Sequence, residues 1–197
     1  MKMILASNNR DKLREFREIL KDTKLVPQSE VMGDFEADET GETFEENAFL
    51  KADAVLRATG LPAVADDSGL EVDALGGEPG VRSARYTGTH DSTYVERCNY
   101  LLEKLGGAEQ RSARFVSSIC CVFPNGDVIR ARGECAGTMG RELRGENGFG
   151  YDAIFIPDGY DKTMAELTPE QKNAISHRGR ALRQFESELR KYNAHNK

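Results

Sequence analysis

The 197 residues, 39% hydrophobic and 30% charged, suffice for one domain with a sizeable core and are too apolar for a disordered chain. A net charge of −6 excludes a general grip on nucleic-acid phosphates unless basic residues cluster. With a mean hydropathy of −0.57 and no apolar run near the roughly 18 residues of a membrane helix, no membrane partner is expected. The four cysteines form no CxxC spacing and read as core thiols rather than disulfides or metal ligands. The apolar start is too short for a signal peptide, so a cytoplasmic location is expected.

Residues 2–6 read as a buried strand that turns through Ser7-Asn8-Asn9 into a helix with Leu13, Phe16, Ile19 and Leu20 on one face. Asn9 or Asn8 supplies its N-cap, with Asp11 in the first turn. Residues 24–27 form a second strand, and Asp34 to Glu42 an acidic loop. Thr43 and Glu46 make a capping box for a helix through Phe44, Ala48, Ala52 and Val55 that stops at Gly60. Leu61 to Ala65 enter as a strand expected to end at Asp66-Asp67-Ser68-Gly69, with a half-exposed strand over Leu70-Glu71-Val72 beyond. A helix is expected from Asp91 to Leu105 and a strand over 112–123. Pro124-Asn125-Gly126-Asp127 then turns a hairpin into a strand over 128–138, long enough to form a second lobe. A loop over Gly148 to Asp152, a strand from Ala153 to Ile156, a helical piece around Met164 to Leu167 and a last helix capped by Ser176 follow, with His195 in a frayed tail. The interleaving predicts an α/β protein with one antiparallel extension and a single domain over 1–197.

Four segments carry candidate chemistry. Ser7, Asn9 and Lys12 lie on a strand-to-helix turn, where free N–H groups and the positive helix end favour a phosphate; the same residues also read as a plain cap with a solvated lysine. The chain has no GxxxxGK[ST], which excludes a Walker-type NTPase. Glu39, Asp66 and Asp67 are candidate Mg²⁺ ligands, although Glu39 sits in an acidic run that reads equally as a solvated loop. Two adjacent carboxylates repel unless a cation neutralises them, and Lys51 on the preceding helix is a candidate. Gly148-Phe149-Gly150-Tyr151-Asp152-Ala153 fits GxGxxA, but no helix is expected after it, which rejects a dinucleotide fingerprint. Phe149 and Tyr151 can instead stack on a base while Asp152 accepts a hydrogen bond, or both aromatics can be core. Lys172, His177 and Arg178 flank a helix start as donors for carbonyl or phosphate oxygens, and Arg178 reads equally as a surface charge.

Taken in order, Ser7-Asn8-Asn9-Arg10-Asp11-Lys12, Glu39-Thr40-Gly41 through Asn47 and Lys51, Ala65-Asp66-Asp67-Ser68-Gly69-Leu70, Pro79-Gly80-Val81-Arg82-Ser83-Ala84-Arg85-Tyr86, Gly148 to Asp152, and Lys172 with Ser176-His177-Arg178-Gly179 span nearly the whole chain. Together they resemble the house-cleaning inosine/xanthosine triphosphate pyrophosphatase family. The resemblance implies an α/β fold with an elongated mixed sheet and flanking helices, two lobes around a central nucleotide cleft, a Mg²⁺-dependent reaction and a homodimer. It also implies a purine nucleoside triphosphate substrate, hydrolysed between the α and β phosphates. By matching position, Ser7, Asn9 and Lys12, within the turn Asn8-Arg10-Asp11, would hold the triphosphate with help from Lys51. Glu39 and Asp67 would serve the metal, and Asp67 the attacking water. Ser68, Phe149, Gly150, Tyr151, Asp152, Lys172, His177 and Arg178 would line the nucleotide site. The 6-oxo group of hypoxanthine or xanthine accepts from His177 or Arg178, where adenine's amino group would leave those donors unpaired. Two positions depart from the family: Asn8 stands where Gly is common, and Ala153 where Pro is common. Maf-like pyrophosphatases do not share these motifs, and a sensor without turnover would have no use for the intact acids.

Overall fold

The computed structural model describes residues 2–33, 35–89 and 91–195. Asp34, which opens the predicted acidic loop, and His90 lie outside the described residues. Among the described residues, strands β1 (Lys2–Leu5), β2 (Lys24–Pro27), β3 (Ala63–Val72), β4 (Ser112–Val122), β5 (Val128–Met139) and β6 (Phe155–Pro157) form a sheet of order β2-β1-β3-β4-β5-β6. Pairing is parallel between β1 and both β2 and β3, and antiparallel between β5 and β6, so the sheet is mixed as expected. The helices are α1 (Arg10–Ile19), α2 (Ser29–Met32), α3 (Phe44–Thr59), α4 (Tyr94–Leu105), α5 (Pro169–Ile175) and α6 (His177–His195). None is long and apolar enough to cross a membrane.

The chain forms two compact units, one of residues 1–67, 117–133 and 178–197, the other of 68–116 and 134–177. In the first, the alternation of strand side chains gives the sheet two cores. Met3, Leu5, Val64, Ile119 and Cys121 pack with Phe16 of α1 and Leu182 and Phe185 of α6. Their neighbours Ile4, Ala63, Ala65, Cys120 and Val122 pack with Ala48, Ala52 and Val55 of α3. The alanines of α3 let the helix sit close to the strands, and its ends follow the local signals: Thr43 and Glu46 exchange the bonds of a capping box, and Gly60 closes it in the left-handed region. In the second unit Leu70, Val72, Cys98, Leu101, Phe115, Met139, Tyr151, Phe155 and Met164 form a single core. Gly137 of β5 is glycine because a Cβ there would collide with the Ile156 carbonyl and the Phe155 ring.

Several expectations are corrected. β3 does not end at the acids; it runs unbroken through Asp66-Asp67-Ser68-Gly69, because an extended backbone needs only that each charge be met on the face where it points. The hairpin is not a second lobe by itself: its closed end, residues 117–133, belongs to the first unit and its open ends to the second. The helix expected from Asp91 starts at Tyr94, where Thr93 caps it with Glu96. Asp152–Ile154 is one 3₁₀ turn, so β6 begins at Phe155 rather than Ala153. Pro169–Ile175 is a helix beyond those expected, with a Thr168–Gln171 capping box. His195 is the last residue of α6, its Nδ1 2.8 Å from the Lys191 carbonyl oxygen, and not a frayed tail.

All four cysteines are buried and free, as expected, and burial pushes the thiols up, Cys120 to about 11 and Cys98 to about 12. A thiol-specific reagent at pH 8 is therefore expected to leave the folded protein unlabelled and to titrate four thiols once it is denatured, with or without prior reduction. Fast labelling of the folded protein would contradict the packing described.

Candidate functional site: opposed carboxylates in a strand interior

Because successive side chains of a strand face opposite ways, Asp66 and Asp67 are separated by the sheet itself. Asp66 shares the face of Val64. Its Oδ2 lies 2.8 Å from Lys12 Nζ of α1 and accepts from Arg178 of α6 at 3.1 and 3.3 Å, while Ser117 Oγ of β4 donates to Oδ1 at 2.5 Å. Arg178 also donates to Glu15 of α1 at 2.5 Å. Asp67 shares the face of Ala63 and Ala65, and its Oδ1 accepts from Lys51 Nζ of α3 at 2.8 Å. The remaining oxygen, Asp67 Oδ2, is buried with no hydrogen-bond partner among the described residues.

The two acids are therefore shifted in opposite directions. Burial favours the neutral form of each. At Asp66 the nearby Arg178 and Lys12 outweigh burial and hold the carboxyl well below its ordinary range. At Asp67 burial prevails over Lys51 and Lys12, and the carboxyl is raised.

The two lysines divide their donors differently. Each ammonium has three N–H bonds. Lys51 directs all three within the chain, to Glu39 Oε1 at 2.8 Å, Asp67 Oδ1 at 2.8 Å and the Asp66 carbonyl at 3.0 Å. It ties Glu39 to Asp67. Lys12 directs two, to the Asp66 carboxylate and to the Asp66 carbonyl at 3.1 Å, which leaves one donor; burial lowers its pKa. On the turn before α1, Asn9 Oδ1 caps the amides of Asp11 and Lys12 at 2.9 and 3.1 Å, and Ser7 Oγ accepts from Asn9 N at 3.1 Å. Asn8 and Arg10 are exposed there, and Asp11 pairs with Arg14 at 2.9 Å. Asn8 donates to the Phe35 carbonyl at 3.2 Å, and no described non-glycine residue has positive φ, so the turn accommodates the Asn8 side chain.

Glu39 and Asp67 are the carboxylates that could hold a divalent ion. No group of three or more His, Cys, Asp or Glu side chains is gathered for a metal among the described residues. Two carboxylates, one with an unpartnered buried oxygen, suit Mg²⁺, which keeps most of its shell for water and substrate phosphates.

The second unit holds another group. Asp152, 4% exposed, accepts from Lys172 Nζ and from Phe149 N, each at 2.8 Å through Oδ2. Gly148 has φ +78°, and a Cβ on it would run into the Asp152 carboxylate, so glycine is required for the loop to fold over that acid. Lys172 Nζ lies 4.6 Å from the centroid of the half-buried Phe149 ring. Tyr151 is core, 2% exposed with its hydroxyl donating to the Ser83 carbonyl at 2.9 Å, the second of the two readings its spacing allows. Gly150 lends its carbonyl to Cys98 Sγ at 3.4 Å, and Ser68 is half-buried in β3. His177 is buried with its ring stacked on Phe115, centroids 4.7 Å apart. Arg178 is not a surface charge: it is 2% exposed and bound to two acids. Glu15 and Ser117 were missed from sequence. Glu15 has a signal, an acid on the inner face of α1 beside Phe16, whereas nothing local marks Ser117.

Comparison with known proteins agrees in extent. The sequence matches the Ham1 family over residues 3–188. It is 52% identical over 189 residues to a dITP/XTP pyrophosphatase of Nocardia farcinica, covering 92% of this chain and 91% of that one. The fold superposes on the Ham1 protein of Staphylococcus aureus with TM-score 0.89 at 43% identity, covering 98% and 100% of the two chains. It matches a HAM1 protein of Coxiella burnetii with TM-score 0.89 at 45% identity, covering 97% and 99%.

Removing Arg178 leaves Asp66 and Glu15 as buried acids short of their cation. Arg178→Ala is therefore expected to lower the unfolding free energy in urea by about 3–5 kcal/mol. A loss below about 0.5 kcal/mol, the scale of a surface substitution, would show that Arg178 is not what neutralises them.

Proposed function

The chain belongs to the Ham1 family, and from that membership together with the opposed acids of β3 we propose that it is a nucleoside triphosphate pyrophosphatase that hydrolyses dITP, ITP and XTP. The products are the monophosphate and pyrophosphate, so that deaminated purines are kept out of DNA and RNA. The name dITP/XTP pyrophosphatase carried by the Nocardia relative supports the substrate class. The observation that carries the reading is Asp67: one oxygen held by Lys51, the other buried and without a partner among the described residues, and a carboxyl raised by burial.

Such a carboxylate is a general base. Lys51 fixes Oδ1, and Oδ2 takes the proton of a water that attacks the α phosphorus. Lys12, with one donor left, binds the phosphates at the N-terminus of α1, where the helix dipole adds to its charge. Ser7 and Asn9 shape that turn. Glu39 and Asp67 would hold Mg²⁺, which when bound neutralises charge on the phosphate oxygens. Phe149 presents a ring face of the kind that stacks on a base, and Asp152, Lys172 and His177 carry polar groups of the kind that read one. Arg178 acts on the reaction through Asp66, as a positioning residue. The protein acts as a homodimer in the cytoplasm; sedimentation velocity tests the first point and cell fractionation the second.

Pyrophosphate release with ITP, dITP, XTP and ATP tests the reading. The three 6-oxo nucleotides are expected to exceed ATP in kcat/KM by roughly 10⁴-fold, the discrimination available when unpaired polar groups reject the wrong base. Equal rates would overturn the substrate class, and binding of ITP without turnover would turn the protein into a sensor. Lys12→Ala is expected to raise KM for ITP and to weaken inhibition by tripolyphosphate in parallel. An unchanged KM would return Lys12 to a purely structural partner of Asp66.

A further inference from the structure

Two carboxylates were proposed above to serve the metal, and they are positioned very differently. Asp67 is fixed by its strand. Glu39 lies in a segment without regular structure, residues 35–42, before α3. A salt bridge to Lys51 alone, with Glu39 27% exposed, does not set the backbone of such a segment.

The backbone is held two residues further on. Asn47, fully buried on α3, accepts the Gly41 amide through Oδ1 at 2.8 Å. Asn47 stands four residues before Lys51, on the same face of the helix, so one face grips the segment twice: by its backbone at Gly41 and by its carboxylate at Glu39. Gly41 suits this contact for a steric reason, since a Cβ on it would lie 2.7 Å from both Asn47 Oδ1 and Glu46 Cβ. Asn47 also bears an unmet need: its Nδ2 is buried with no partner among the described residues. A side chain kept only to fill space would be better as an apolar residue, because a buried donor left unsatisfied is destabilising. What asparagine supplies that an apolar residue does not is the acceptor for Gly41.

We propose that Asn47 is a positioning residue for Glu39: its amide oxygen latches the Gly41 backbone and thereby holds the Glu39 carboxylate beside Asp67. The assignment rests on the reading of Glu39 as a metal-serving carboxylate, and the test separates the two.

Four variants are compared: Asn47→Ala, Gly41→Ala, Glu39→Gln, and Asn47→Ala combined with Glu39→Gln. Each is measured for kcat/KM with ITP, for Mn²⁺ binding without nucleotide by calorimetry, and for amide exchange at residue 41. Residues that orient a metal's ligands typically change affinity or activity by 10–100-fold when removed, and a loss in that range is expected for Asn47→Ala and Gly41→Ala in both kcat/KM and Mn²⁺ affinity. The Gly41 amide is expected to exchange faster in Asn47→Ala. In the Glu39→Gln background, Asn47→Ala should then add less than 2-fold, because it acts through a carboxylate already removed. A merely structural role would instead give multiplying losses in the double variant. Those losses, or an Asn47→Ala protein with wild-type kcat/KM and Mn²⁺ affinity beside a defective Glu39→Gln, would overturn the proposal. A wild-type Glu39→Gln would overturn the reading of Glu39 itself, whatever Asn47 does. Should Asn47→Ala fail to fold, Gly41→Ala carries the same comparison, since it opens the latch with the asparagine intact.

Discussion

Placing two carboxylates next to each other inside a strand is the constraint around which the first unit is organised. Each acid, taken out of water, costs several kcal/mol unless it is paired and hydrogen-bonded, and the pleat sends the two to opposite faces. Each face must therefore bring its own cation, and it does so on a helix already packed there for apolar reasons: α1 and α6 on one side, α3 on the other. Lys12 and Arg178 meet Asp66, and Lys51 meets Asp67. The Asp66 carbonyl, approached by both lysines, links the two arrangements through one backbone atom.

The partnering is unequal, and that inequality separates structure from chemistry. Asp66 is satisfied at both oxygens and surrounded by positive charge, so its proton is held off across the working pH range and it has little to offer a reactant. Asp67 shares Lys51 with Glu39, keeps an oxygen without a partner among the described residues, and is raised by burial. A polar atom in that condition is what a reacting water or an ion requires. The second unit repeats the principle on a smaller scale. Lys172 neutralises Asp152 and lies against the Phe149 ring, so a polar pair and an aromatic face are held together by a loop that only glycine at position 148 allows.

Much of this was legible in the sequence because its signals are local. The cap at Asn9 or Asn8, the Thr43–Glu46 box and the Gly60 stop each follow from a few adjacent residues; the last two stand as read, and the cap falls on Asn9. The need for a cation beside the acids followed from electrostatics alone, and Lys51 was found that way. What escaped depends on contacts distant in sequence. Ser117 and Arg178 reach Asp66 from 51 and 112 residues away, so nothing near either residue announces the pairing. The end assigned to β3 failed for the same reason: a pair of acids reads locally as a break, and only neutralisation from three other elements makes it a strand. Tyr151 was open between stacking and core, and its hydroxyl partner at Ser83, 68 residues away, settles it as core.

The division of labour between the two neighbouring acids is tested most directly by comparing Asp66→Asn and Asp67→Asn for urea unfolding and for kcat on ITP at saturating Mg²⁺. Near-isosteric amides remove charge and leave shape. Asp67→Asn is expected to unfold close to the wild-type midpoint but to lose most of its kcat, while Asp66→Asn, which strands Lys12 and Arg178, is expected to shift the midpoint strongly downward. Near wild-type kcat in Asp67→Asn, or a stability loss there as large as that of Asp66→Asn, would contradict that division.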